Sequence, residues 1–310
     1  MISGARGVIN RSREVRIVGN RWWGKRMRTD SGRIAVAVGF VVLLGSGCSS
    51  GPESEAPGSS LVTEIPLRAD AHEILVPGEE SYYGISWAGL LPVGRIVYRY
   101  DEVETKEGRF LVYEGITEPL LSVEAFLKSA GTIRTLADPK TFLPVTSFWV
   151  TANKSPHKRT TVFDQEKGIA LAGKWADGLL QYREVKGIRM MDPLGIIFYG
   201  RLVKLPDDGS EIRVMMIEGS HQHLMTVRHA GEEALMFHGQ RVQCTKVSLR
   251  TDRLDDNGEL IVEKPWNDLV AWVAETPNRP ILRISGNVRF GSMVLKLAKR
   301  TVPEVDTDSE

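Results

Sequence analysis

Through most of the chain, large apolar side chains return at every second residue, and no other feature restricts the backbone as much. Tyr83, Ile85 and Trp87 alternate with smaller or polar neighbours, and Ile96, Tyr98 and Tyr100 alternate with Arg95 and Arg99. Phe110, Val112, Glu114 and Ile116 repeat the pattern, and Phe148 and Val150 follow it. Successive side chains of a strand point to opposite faces, so this period reads as half-buried antiparallel strands. Turn residues separate the segments at short intervals: Glu107-Gly108, Asp138-Pro139, Asp164 to Gly168, Pro206 to Gly209, Asp255 to Gly258 and Thr276 to Pro280. Hairpins are the expected connections.

One segment breaks the period. Asp192-Pro193 offers a helix N-cap with proline at the first helical position, and Leu194, Ile197, Phe198 and Arg201 follow at helical spacing. A short helix is expected there, and Val123 to Ala130 is a second candidate. The fold class that follows is all-β and mainly antiparallel: a curved sheet or open β-barrel-like single domain with one or two short helices. With so little helix to cover it, a large sheet buries its inner side by curling on itself or packing on a second sheet. Curling is the expectation here.

The N-terminal region says where such a domain is sent. Ile34 to Gly45 is a run of twelve residues without a charged or strongly polar side chain, preceded by Arg28 and Arg33 and followed by Ser46-Gly47-Cys48. Twelve helical residues span about 18 Å, against a hydrocarbon core of about 30 Å, so the run suits an export signal and not a membrane span. Small residues before a cysteine resemble a lipobox, in which the thiol receives a diacylglycerol and a peptidase cuts just ahead of it. Gly45 stands where that motif usually has leucine, with Leu44 one place earlier. Residues 1–47 are therefore read as a signal peptide and Cys48 as the lipidated residue, an ordinary cleaved signal or a retained anchor being the alternatives. Met27 gives a shorter leader and is the expected true start; a basic extension over residues 1–26 is the other reading. Residues 48–61 form a tether, because nothing larger than Ala or Pro among the apolar types occurs from Cys48 to Ser60. The β domain is expected over 62–300 and an acidic tail over 301–310.

Charge and cysteine content exclude several classes. Residues 1–47 hold 9 of the 40 Lys/Arg and 2 of the 39 Asp/Glu, which leaves the part after them at about −6. A nucleic-acid partner is not expected of such a body, since binding needs a basic face to release counterions. Cys48 and Cys244 are the two cysteines; with the first acylated, no internal disulfide forms, and Cys244 reads as a small buried hydrophobe. Gly168 to Lys174 spells Gly-x-x-x-x-Gly-Lys, but Trp175 stands where a phosphate loop needs a hydroxyl. Gly-x-Ser-x-Gly occurs at Gly47-Cys48-Ser49-Ser50-Gly51 alone, across the expected cleavage site and tether, and the sequence contains no His-Glu-x-x-His or Cys-x-x-Cys, so catalytic residues and cofactors are expected to be none.

Two further constellations stand out. His221, His223, Met225, Val227 and His229 share one strand face, and imidazoles two apart can chelate a transition metal. Gly219-Ser220 before them reads as a hairpin turn that leaves His221 on an exposed flank, so no metal is expected, with His221 and His223 as the alternative. Among inward-facing candidates, Trp87, Tyr98, Trp149 and Arg201 are the residues to line a ligand space, although each tryptophan also suits a core and Arg201 suits the helix it stands on.

Several motifs in order then point to a family. They are Gly78-Glu79-Glu80-Ser81-Tyr82-Tyr83-Gly84-Ile85-Ser86-Trp87-Ala88-Gly89 with Val93-Gly94, Asp138 to Pro144, Phe163-Asp164, Asp192-Pro193-Leu194-Gly195 with Arg201, and Trp272 with Arg279-Pro280. Their order over most of residues 78–297 resembles domain-of-unknown-function family 3108, a bacterial envelope family. That family tends to have an aspartate where this chain has Thr276. The resemblance implies a mainly β, periplasm-facing protein with no assigned activity.

The functional expectation is a non-enzymatic lipoprotein of the cell envelope, held to a membrane by its N-terminal lipid and facing the periplasm. Ser49 after the cysteine favours the outer over the inner membrane by resemblance to known sorting signals. Curved antiparallel sheets of this size commonly enclose an apolar space, so a lipid or hydrophobic ligand is the expected partner. An adaptor that binds another envelope protein through a sheet edge or face is the alternative.

Overall fold

The computed structural model describes residues 62–63, 65–120, 131–151, 158–176, 179–206, 208–219, 221–255, 257–261, 266–288 and 291–303. Cys48, the leader, the tether through residue 61, the candidate helix at Val123 to Ala130 and the tail from residue 304 lie outside them. The chain divides into units 1–34 and 35–310, and every described residue belongs to the second.

Among the described residues the fold is one antiparallel sheet with two short helices. After α1 (Ala71–Ile74) come β1 (Glu79–Trp87), β2 (Leu91–Thr105), β3 (Gly108–Pro119), β4 (Gly131–Ala137), β5 (Pro144–Thr151), β6 (Lys158–Asp164), β7 (Ile169–Ala176) and β8 (Leu179–Lys186). Helix α2 (Pro193–Leu202) then leads to β9 (Ile212–Glu218), β10 (His221–Phe237), β11 (Gln240–Leu254), β12 (Trp266–Ala274), β13 (Ile281–Val288) and β14 (Gly291–Thr301). All 14 strands join one sheet in the order β8-β7-β6-β5-β4-β3-β2-β1-β14-β13-β12-β11-β10-β9. Neighbours are hairpin partners except at the middle, where the first and last strands pair. The β10–β11 connection shows the local chemistry: His238 at φ 49° and Gly239 at φ 78° form a two-residue turn with both residues left-handed, whose twist matches that of the strands.

Helix α2 begins where the sequence places it. The Asp192 carboxylate accepts the backbone N–H of Gly195 at 3.0 Å, and Pro193 follows at the first position. Leu194, Phe198, Tyr199, Arg201 and Leu202 are all buried. A helix apolar on nearly every side must be enclosed, and this one sits within the curl. The Phe198 ring stacks on Tyr113 at 4.6 Å and meets Tyr98 edge-on at 6.3 Å.

The expected faces hold for β1 and β2 and are reversed for β3 and β5. Tyr83, Ile85, Tyr98 and Tyr100 point inward, but the inward residues of β3 are Leu111, Tyr113, Gly115 and Thr117, opposite Tyr100 and Tyr98 in register. In β5 they are Ser147 and Trp149, while Phe148 and Val150 are half-buried on the other face. The reason lies in the outer face, where Val97 and Val112 are also buried. A strand apolar on both sides gives no phase to read.

The sheet curls past closure. On β9, Ile212 and Val214 join the core around α2, whereas Met215 and Ile217, on the opposite face, join Leu224 of β10 and Leu254 of β11 against Phe163, Ala170, Ala172 and Val185. Those last four lie on the inner face of β6, β7 and β8, by register with Trp149 and Ser147. The β6–β8 end therefore laps over the outside of the β9–β11 end. Among the described residues the two edge strands share no backbone ladder; apolar side chains close the curl. The free edge of β9 is covered by its own chain: Met191 N–H donates to Met215 O and Ile217 N–H to Met191 O, both at 2.8 Å, and Thr63 N–H donates to Arg213 O at 3.1 Å. Covering an edge in this way prevents stray strand pairing.

Candidate functional site

The overlap is the candidate site. Its core is Phe163, Ala170, Ala172, Val185, Met190, Met215, Ile217, Leu224 and Leu254. Two alanines stand where larger residues would fill the layer, and Gly187 leaves no room for a Cβ beside Met215. Met190 and Met215 are the methionines of this layer; Met191 belongs to the core around α2, and Met216 and Met225 are buried on the opposite face of β9 and β10. Methionine is unbranched and polarizable, and it repacks around differing shapes at low cost. Gln165 donates to Pro144 O at 3.0 Å and to Met190 O at 2.8 Å, and accepts from Met190 N–H at 3.1 Å.

One end of the overlap is polar. A small pocket there is lined by Ser147, Trp149, Arg159, Thr161, Glu218 and Gly219, among others, and its free volume of about 10 Å³ holds roughly one water. Glu218 is buried, with the Arg159 guanidinium at 3.9 Å and His223 Nε2 at 3.8 Å. Burial pushes the Glu218 carboxyl up to about 8, against the pull of Arg159 and Arg253. Burial likewise pushes His223 down to about 4, helped by His221 and Arg253. The separation suggests an ion pair, but dehydration favours the uncharged form of each. Trp149 Nε1–H is buried with no acceptor among the described residues, and the Arg159 guanidinium lies 5.4 Å from the Trp149 ring centre.

The four expected ligand residues do not form one site. Trp149 lines the pocket. Tyr98 is core, edge-on to Tyr83 at 5.4 Å as well as to Phe198. Arg201 is a buried clamp: it donates to both Glu79 oxygens at 3.0 Å and to the Ile74 carbonyl at 3.3 Å, holding α2 to α1 and β1. Trp87 lies at the end of β1 against Gly291, where a Cβ would stand 3.1 Å from its ring. His221 and His223 do share a face, but His221 is half-buried rather than on an exposed flank, with Nδ1 3.3 Å from Arg253 Nη2. Among the described residues no three His, Cys, Asp or Glu side chains gather as a metal site. Glu218 and the paired methionines at 190–191 and 215–216 do not stand out in the sequence. The signal for Glu218 is its place at the end of Val214-Met215-Met216-Ile217, a run apolar on both faces.

Comparison with known proteins agrees with the motif order. The family model "Protein of unknown function (DUF3108)" matches residues 82–298. The chain belongs to this family. No curated protein matches this DUF3108 chain. Among solved structures it is similar to a β-barrel-like protein of family DUF1849 from Brucella abortus, at 12% identity and TM-score 0.47, covering 74% of this chain and 99% of that one. It is also similar to a proposed exported protein with a YmcC-like fold from Bacteroides fragilis, at 12% identity and TM-score 0.30, covering 73% and 96%. A third is a proposed lipoprotein from Parabacteroides distasonis, at 7% identity and TM-score 0.30, covering 73% and 95%.

Proposed function

We propose that this DUF3108 protein is an exported, non-enzymatic lipoprotein of the cell envelope, anchored through Cys48 and facing the periplasm, that binds a hydrophobic chain between the overlapping ends of its sheet. The anchor is assigned to the outer membrane in preference to the inner. One observation carries the ligand reading: among the described residues the curl is closed by an apolar layer that includes Met190 and Met215, and not by a backbone ladder. Separating a hydrogen-bonded strand pair leaves a row of bare polar groups, whereas separating two apolar layers exposes surface that a hydrocarbon chain re-covers. The ligand thus enters by displacing side chains of the overlap, since α2 fills the space inside the curl. Native mass spectrometry of the full chain purified from membranes is expected to show a bound lipid, lost in Ala172→Phe, which fills the layer; lipid-free wild-type protein would count against the reading. Anchoring has its own test. Palmitate is expected to label the wild type and not Cys48→Ala, and an unlabelled wild type contradicts the anchor.

A second reading is supported by the other edge. Among the described residues strand β8 has no further strand beside it, and Trp175 of β7 and Tyr182 of β8 are exposed on the outer face there. An adaptor would add a partner's strand there.

A further inference from the structure

Alternating strand directions fix which loops share an end of the sheet. The β1–β2 turn lies at the same end as the Glu218–Gly219 turn after β9, and the β10–β11 turn lies at the opposite end. At the first end stands the most exposed large apolar side chain among the described residues. Leu90 is 87% and Leu91 58% exposed at the tip of the β1–β2 hairpin, with Leu120 beside them, its N–H donating to Val93 O at 3.0 Å. Turn tips are normally polar. Here Trp87-Ala88-Gly89-Leu90-Leu91-Pro92-Val93-Gly94 contains no charged or strongly polar side chain.

The tip is built to project those leucines. Ala88 at φ 49° and Gly89 at φ 73° make the reversal. Ala88 N–H donates to Ser292 O at 2.7 Å, Leu90 N–H donates to Trp87 O at 3.0 Å, and the Trp87 ring is wedged against Gly291 beneath. A flexible or collapsed turn would have folded its leucines down.

We infer that this hairpin tip inserts into the lipid surface that holds the acylated N-terminus, an inference that rests on the anchor reading above. Leu90, Leu91 and Pro92 offer no hydrogen bond or charge, and protein interfaces draw their affinity from Trp, Tyr and Arg anchors instead. A hydrocarbon layer asks only for apolar area. The chain outside the described residues permits the geometry. Thirteen residues separate Cys48 from Val62, a reach of up to roughly 50 Å when extended, while the nine residues of β1 span about 30 Å. The tether therefore allows either end of the sheet to face the membrane, and the leucine tip selects this one, which is also the end where the Glu218 pocket lies.

The test uses the full chain purified from membranes and placed in vesicles of phosphatidylethanolamine and phosphatidylglycerol. Nitroxides are attached to Leu90→Cys and, at the opposite end, to Met236→Cys, a position 70% exposed in the native chain; Cys244 is buried and stays unlabelled. The label at 90 is expected to collide several-fold more with oxygen than with a water-soluble nickel complex, and the label at 236 the reverse. A label at 90 as open to nickel as that at 236, or shielded from both reagents as by a protein partner, overturns the inference. The mass of the N-terminal peptide reads acylation separately: an unmodified Cys48 overturns the anchor, and the label at 90 still reports whether the tip enters added vesicles.

Discussion

Replacing Glu79 by alanine is expected to cost the fold roughly 3–5 kcal/mol, the usual consequence of removing one partner from a buried ion cluster. Glu79 is 2% exposed. Its two oxygens accept from Arg201 on α2 and from Arg300 on β14, all four bonds at 3.0 Å. Burial drives the Glu79 carboxyl upward, but Arg300 and Arg201 together overcome it, so the group stays below its ordinary value. By linkage, the cluster's contribution is present above the ordinary carboxylate range and is lost as pH falls through the lowered folded value. Without Glu79 the Arg201 charge is left enclosed by the Ile74 and Asn278 carbonyls alone. For a body of this size the midpoint should fall by roughly 10 °C. Glu114→Ala, which removes a half-exposed partner of Arg99, should cost about 1 kcal/mol or less. Thermal unfolding of the two variants side by side checks the contrast, and equal losses would refute the buried-clamp account of Arg201.

The second large effect is a pH dependence set by Glu218. Its folded value lies above the unfolded one, at about 8 against 4.5. Such a group stabilises the fold fully below the unfolded value, and that contribution is lost as pH rises through the folded value. Glu218→Gln keeps the shape and removes the ionisation. Wild type should therefore lose a few kcal/mol relative to Glu218→Gln between pH 5 and pH 9. Each pH unit separating the folded from the unfolded value is worth about 1.4 kcal/mol, reduced by relaxation around the charge. Asp192, pushed up to about 6 by burial, contributes in the same sense over a lower and narrower range. His223 acts oppositely: its folded value is depressed, so its contribution is present above pH 6.5 and is lost as pH falls toward 4. The Glu218 loss is thus read cleanly only above pH 6.5. Denaturant unfolding at pH 7 and pH 9 measures it; a pH-independent difference between the two proteins would mean that Glu218 is ionised and paired.

Local chemistry made much of this fold legible. The inward alternation of β1 and β2, the turns at Glu107-Gly108, Asp164 to Gly168 and Thr276 to Pro280 and the Asp192-Pro193 cap each depend on neighbours in sequence, and each has its expected form. The faces of β3 and β5 were not legible, because Val112 and Phe148 are apolar residues on an outer face. Tyr98 and Arg201 look like ligand residues in sequence and are core and clamp in space, since only the distant Phe198 and Glu79 decide their roles. The overlap was least legible of all. It unites β6–β8 with β9–β11 through contacts of long sequence separation, and its marks, paired methionines and the alanines of β7, are individually ordinary. Glu218 is unusual only once β9 is seen to be covered on both faces.

The central claim is that a hydrocarbon chain lies between the overlapping sheet ends, and site-resolved photo-crosslinking with a diazirine fatty acid tests it most directly. After irradiation of membranes containing the full-length protein, modified peptides are expected to map to residues 163–190 and 212–225, the two layers that meet at Met190, Met215 and Leu224. Crosslinks confined to the outer face of β8, or absent from both layers, would contradict it.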